Sequence, residues 1–113
     1  MLHIVLHFVV PALIALFIAR DRWPSTWLIL TATMFVDVDH LLANPVYDPE
    51  RCSIGFHPLH TVPAMAVYAV LLASPVALRR IDDLRNSAVV RVLGLVGLGL
   101  LVHMVLDGID CVT

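Results

Sequence analysis

Four apolar runs dominate the chain, each long enough or nearly so to cross a bilayer as a helix. They are LHIVLHFVVPALIALFIA (2–19), WLILTATMFVDVDHLLA (27–43), PLHTVPAMAVYAVLLASPVAL (58–78) and AVVRVLGLVGLGLLVHMVLD (88–107). Of the 113 residues 60% are hydrophobic and only 14% charged, with a mean hydropathy of +0.93. A soluble domain carries about a quarter charged residues, so this balance points to a membrane protein. The expected fold is all-α: one integral membrane domain, residues 1–113, built as a four-transmembrane-helix bundle. The first run lacks a basic segment before it and has arginines after it, so it reads as a retained helix rather than a cleaved signal.

The arginines set the topology. There is no lysine. Arg20 and Arg22 lie between runs one and two, Arg79, Arg80 and Arg85 between three and four, and Arg91 just inside run four; only Arg51 sits in the remaining loop. The positive-inside rule makes the Arg-rich loops cytoplasmic, so both termini and the 44–57 loop face the extracytoplasmic side. The formal net charge of −2, with no basic stripe, excludes nucleic acid as a partner. The lipid bilayer is the partner expected; oligomeric state stays open.

On that topology the titratable residues gather at one level. His3 and His7 open the first helix; Asp37, Asp39 and His40 close the second; His57 and His60 open the third; His103 and Asp107 close the fourth. All six histidines therefore fall at the outer face, accompanied by Asp48, Glu50 and Asp110. His3/His7 and His103/Asp107 are spaced i,i+4, while Asp37/His40 and His57/His60 are spaced i,i+3, so each pair shares a face of an ideal helix. Asp39 points elsewhere on such a helix; it either orients a ligand or reaches in because the helix ends there.

Unpaired acids inside a membrane helix are costly and persist when they face the bundle interior and are neutralised. A divalent metal does both, taking imidazole nitrogens and carboxylate oxygens as ligands. The candidate ligands are His3, His7, Asp37, Asp39, His40, His57, His60, His103 and Asp107. For a single histidine, a hydrogen-bonded structural role is the simpler reading; four same-face pairs at one level favour metal. Cys52 and Cys111 both fall on the exported side, where a disulfide, free thiols or metal ligation are open to them. Pro11, Pro63 and Pro75 read as helix kinks, Gly94, Gly97 and Gly99 as a close-packing surface for a neighbouring helix, and Trp27 as an interfacial anchor.

MLHIVLHFVVP together with MFVDVDHLLANPVYDPERCSIGFHPLH resembles a family of small uncharacterised bacterial inner-membrane proteins, a match over most of the chain. More distantly, these stretches are similar to the membrane-bound metal-dependent hydrolases. Those carry an N-terminal Thr-His, an Asp-Ile-Asp-His at a helix end, a His-rich central motif and a late His-x-x-x-Asp. The matching positions here are His3 or His7, Asp37 to His40, His57 with His60, and His103 with Asp107. That family in turn resembles zinc-dependent phospholipase C and related all-helical nucleases.

The resemblance implies a multinuclear zinc site and phosphoester hydrolysis. The expected activity is a metal-dependent hydrolase with two ions, most simply zinc, acting on a lipid phosphate or another amphiphile at the outer face of the bacterial inner (plasma) membrane. Asp39 is the expected proton acceptor, and Arg51 is either a phosphate partner or a solvated loop charge. The alternative is metal binding or transport without hydrolysis. Transport needs further polar residues along the inward path, where Thr31, Thr33, Ser74 and Arg91 are nearly all the sequence supplies. Haem ligation is disfavoured by the accompanying carboxylates, and a structural subunit has only the Gly94–Gly99 face in its favour.

Overall fold

The computed structural model describes residues 2–44 and 51–112, so Asp48 and Glu50 lie outside the described residues. What is described is helical: α1 (Leu2–Ile18), a 3-10 turn (Arg20–Arg22), α2 (Trp23–Ala32), a 3-10 segment (Thr33–Leu42), a second 3-10 turn (Pro58–His60), α3 (Val62–Ala77), α4 (Asp82–Arg85) and α5 (Ala88–Val112). α5 is the hub, packing most extensively on α3 and also against α2 and α1. It runs past the expected end at 107 to Val112, and is the one described helix long and apolar enough to cross a membrane. Leu2–Ile18 and Val62–Ala77 are apolar but shorter.

The second apolar run departs most from a plain α-helix. Pro24, early in α2 where its missing N–H costs nothing, starts the helix ahead of the expected Trp27. Trp27 donates its indole N–H to the Phe8 carbonyl at 3.0 Å, tying α2 to α1. Beyond Ala32 the helix tightens into 3-10 winding for ten residues, far longer than the usual three or four. Burial tracks the change: Thr26 and Leu30 are four apart, after which Leu30, Thr33, Val36 and Asp39 follow at intervals of three. The Thr33 hydroxyl marks the junction by donating to the Leu30 carbonyl.

Inside and outside are inverted relative to a water-soluble bundle. α1 buries His7, Pro11 and Ala15 while turning Phe17 (89% exposed), Leu13 and Leu2 outward. The buried set holds His7, Asp39, His57, His60, His103 and Asp107 beside a modest apolar core of Val36, Tyr68 and Met104. Large apolar side chains thus make up much of the described surface.

Two local solutions keep the helices close. Pro75 cannot donate to the Leu71 carbonyl, and the adjacent Ser74 hydroxyl does so instead at 2.7 Å. The glycines of α5 allow backbone-to-backbone approach within the chain itself. A Cβ on Gly97 would collide with the Leu72 nitrogen and lie 2.7 Å from the Tyr68 carbonyl oxygen, and one on Gly99 would lie 2.8 Å from the Thr33 side chain. Gly108, on the same helix, has nothing within 4 Å.

These contacts predict a contrast. Gly97→Ala should lower stability by about 1–3 kcal/mol through overpacking against α3, whereas Gly108→Ala should be neutral or stabilise by up to about 1 kcal/mol. Thermal midpoints in detergent test it; equal effects of the two changes would contradict the close approach.

Candidate metal centre

The winding of the 3-10 segment decides what each residue of Asp37-Val38-Asp39-His40 can reach. At three residues per turn, Asp39 falls in line with the buried Thr33 and Val36, and Asp37 falls in line with His40 on the neighbouring stripe. Asp39 is therefore turned inward, resolving the alternative that ideal α-helical spacing leaves open. Across the bundle, His103 and Asp107 face inward from consecutive turns of α5, and His7 does the same from α1.

The third run begins differently from expectation. His57 precedes Pro58 and is extended (φ −81°, ψ 144°), since the proline ring disfavours helical geometry in the residue before it. α3 proper starts only at Val62. His57 and His60 therefore do not share a helix face. His60 enters the centre of the cluster and His57 stacks on His40, ring centroids 3.8 Å apart.

Four groups meet in the centre. His60 Nε2 lies 3.3 Å from Asp37 Oδ1 and 3.1 Å from Asp107 Oδ2. His103 Nε2 lies 3.0 Å from Asp37 Oδ1 and 3.3 Å from Asp107 Oδ2. The other oxygen of Asp107 faces a second set: His3 Nε2 and His7 Nε2 are each 3.2 Å from Asp107 Oδ1. One buried carboxylate thus divides its two oxygens between two pairs of imidazoles. Asp110, one turn further along α5, lies 3.8 Å from His3 Nδ1.

A third group surrounds Asp39. Its Oδ2 accepts from His60 Nδ1 at 3.0 Å and from the Leu59 amide at 2.8 Å, and its Oδ1 accepts from His40 Nδ1 at 3.2 Å. His40 Nε2 is 3.1 Å from the Ser53 hydroxyl. Asp39 is 3% exposed, with both oxygens engaged. Its geometry is that of a positioning residue holding His60, rather than of a carboxylate open to a substrate. Six imidazoles form one continuous chain of ring contacts, His3–His7–His103–His60 and on to the His40–His57 stack.

The tautomers show what the cluster requires. His7 donates Nδ1–H to the His3 carbonyl at 2.8 Å, and His60 donates Nδ1–H to Asp39. In a neutral ring each Nε2 then carries a lone pair aimed at carboxylate oxygen. Both Nε2 atoms are buried and lack a hydrogen-bond partner. Nitrogen and oxygen lone pairs facing one another at 3.1–3.3 Å need positive charge between them, from a proton on Nε2 or from a bound cation. The sets Asp37/His60/His103/Asp107, His3/His7/Asp107 and Asp39/His40/His57 each bring ligand atoms close enough to hold a metal ion.

The rim is stapled. Cys111 lies one turn beyond Asp107 on α5 and is disulfide-bonded to Cys52, with Cα atoms 5.1 Å apart. The next residue, Ser53, partners His40 and accepts the amides of Phe56 and His57 at its carbonyl. Tyr68 supports the same turn from below, donating its hydroxyl to the Leu59 carbonyl at 2.7 Å. Arg51 stacks over the Phe56 ring, 4.7 Å from its centroid.

All nine expected metal-site residues thus fall in three neighbouring sets, two of which share Asp107, while Arg51 stands on the rim outside them. Sequence reasoning missed Ser53, Tyr68 and the Leu59 amide, which touch the site only through folded geometry. The sequence matches the DUF6122 family, described as a family of unknown function, over residues 1–113, and the chain belongs to that family. No curated protein and no solved structure matches it.

The Asp39–His60 contact yields a prediction. Asp39→Asn should weaken divalent-metal affinity about 10–100-fold while leaving helix content intact, the usual cost of losing a carboxylate that orients a ligating histidine. Chelator competition measures it, and unchanged affinity would remove Asp39 from the support of the centre.

Proposed function

We propose that this chain of the DUF6122 family is a membrane-embedded, metal-dependent hydrolase. It holds two zinc ions and cleaves a phosphoester of a lipid or other amphiphile at the outer face of the bacterial inner membrane. The observation that carries this reading is the divided carboxylate of Asp107, whose oxygens face two separate imidazole pairs. The four imidazoles and Asp107 would hold the metal ions in two sets, His60 and His103 on one side and His3 and His7 on the other.

The donor set and its spacing support zinc. Ligands at about 2.0 Å from zinc in tetrahedral array stand about 3.3 Å apart, and the four central contacts measure 3.0, 3.1, 3.3 and 3.3 Å. The central set offers four ligands, whereas His3, His7 and Asp107 offer three; a three-ligand set leaves one position for water or substrate, the hallmark of a catalytic zinc site. A divalent cation bound there supplies Lewis acidity, activating water near neutral pH and drawing charge from a phosphoryl oxygen.

The residues of the chain do the rest. Asp107 fixes the distance between the two sets. Asp39 and the Leu59 amide hold His60 in the tautomer that turns Nε2 to the centre, and the His3 carbonyl does the same for His7. The Asp37 side chain is 40% exposed and the His3 side chain 34%, which makes them the groups an incoming substrate meets. Arg51, held over Phe56 at the rim, is the proposed partner of a substrate phosphate.

Lengths and surface support the membrane setting. α2 and the 3-10 segment together span about 35 Å at 1.5 and 2.0 Å per residue, enough for a hydrocarbon core of about 30 Å. The long axis of the molecule is 48 Å. A disulfide on the rim fits an oxidising, extracytoplasmic compartment, which agrees with the arginine distribution. Metal binding without hydrolysis is the second reading, favoured by the central set, since a complete four-ligand shell also describes structural zinc.

Metal analysis and turnover separate the two. Purified protein should contain two zinc ions per chain and hydrolyse a phosphodiester probe. His7→Ala should lose one ion and at least about a hundredfold in rate, and Asp107→Asn should lose both ions and all activity. Full turnover by His7→Ala would contradict the hydrolase reading; zinc retained without turnover in the unmodified protein would leave the binding reading.

A further inference from the structure

A second concavity lies at the other end of the bundle. A cleft of about 670 Å³ opens between the end of α1, the last turns of α3 and the first half of α5. Arg91 on its wall and Asp107 in the metal centre are separated by 16 residues of α5, about 24 Å along the helix. The cleft is apolar along Ile18, Leu72 and Leu95, and polar where Arg22, Arg91 and Ser87 approach it.

The two arginines are the unusual part. They come from different elements, the 3-10 turn before α2 and the first turns of α5, yet line one cleft. Among the described residues neither guanidinium has a carboxylate partner; the described ion pairs are formed by histidines around the metal centre. Both arginines are exposed, and guanidinium groups near helix ends reach the headgroup level of a bilayer, where a lipid phosphate stands. Apolar walls beside two arginines of one cleft suit a molecule with a phosphate head and hydrocarbon chains, whereas free phosphate has no use for the walls. Basic pockets between helices on the cytoplasmic side are lipid-headgroup sites on physical grounds.

We infer that this cleft binds an anionic phospholipid from the leaflet opposite the metal centre, its phosphate between Arg22 and Arg91 and its chains along Ile18, Leu72 and Leu95. The inference rests on the membrane reading of α5 and not on the metal chemistry.

Native mass spectrometry of the purified full chain in micelles of equimolar phosphatidylglycerol and phosphatidylcholine tests it, with zinc content measured on the same samples. The expected result is a preference of about tenfold for phosphatidylglycerol, abolished in Arg22→Gln/Arg91→Gln with zinc content unchanged. Leu95→Trp, which fills the cleft and keeps both arginines, should also lose the bound lipid. Equal retention of the two lipids, a preference that survives the double substitution, or displacement of the lipid by millimolar inorganic phosphate would each overturn the inference. Zinc-free protein that keeps the preference would contradict the hydrolase reading alone.

Discussion

The carboxylate of Asp107 is the constraint around which the fold is arranged. It is buried, and its two oxygens face His3 and His7 on one side and His60 and His103 on the other. A charge taken this far out of water is destabilising by several kcal/mol unless it is paired and its remaining lone pairs are satisfied. Two other parts of the chain, α1 and the Pro58–His60 turn, therefore converge on one side chain of α5. The apolar core is small, and the titratable groups occupy the place that leucine and valine fill in a soluble bundle.

Precision at such a centre comes from the groups behind it. Asp39 holds His60, the His3 carbonyl holds His7, and Ser53 holds His40. These supports are themselves anchored, the Ser53 turn by the Cys52–Cys111 disulfide and the Leu59 turn by the Tyr68 hydroxyl. Gly97 and Gly99 allow α3 and the α2 junction to approach the α5 backbone closely, which brings His60 and Asp37 within reach of His103. Packing of small residues and alignment of ligands are here the same event.

Much of this was legible in the sequence, for a physical reason. Helical spacing alone put His3 with His7 and His103 with Asp107, because four residues make about one turn whatever surrounds them. The gathering of all six histidines at one end followed from the order of the apolar runs. What spacing could not give was the winding of Thr33–Leu42: no local signal in TMFVDVDHLL separates 3-10 from α, and that choice turns Asp39 inward. Nor could it give the split between His57 and His60, although Pro58 is in plain sight and bars His57 from the helix. The division of the ligands into sets sharing Asp107 depends on contacts between residues far apart in the chain, such as His103 with Asp37, and no single helix contains that information. The coarse architecture was read as all-helical; the second run proved to be an α-helix and a 3-10 segment end to end rather than one uniform helix.

The proposed centre would hold two cations among the imidazoles and carboxylates of these sets. X-ray absorption at the zinc edge, on protein purified without added chelator, addresses it most directly. The account predicts a first shell of nitrogen and oxygen at about 2.0 Å with imidazole outer-shell scattering, and a metal–metal vector near 3.5–4 Å. A sulfur-rich shell, or protein that retains no metal although its disulfide and helices are intact, would contradict it.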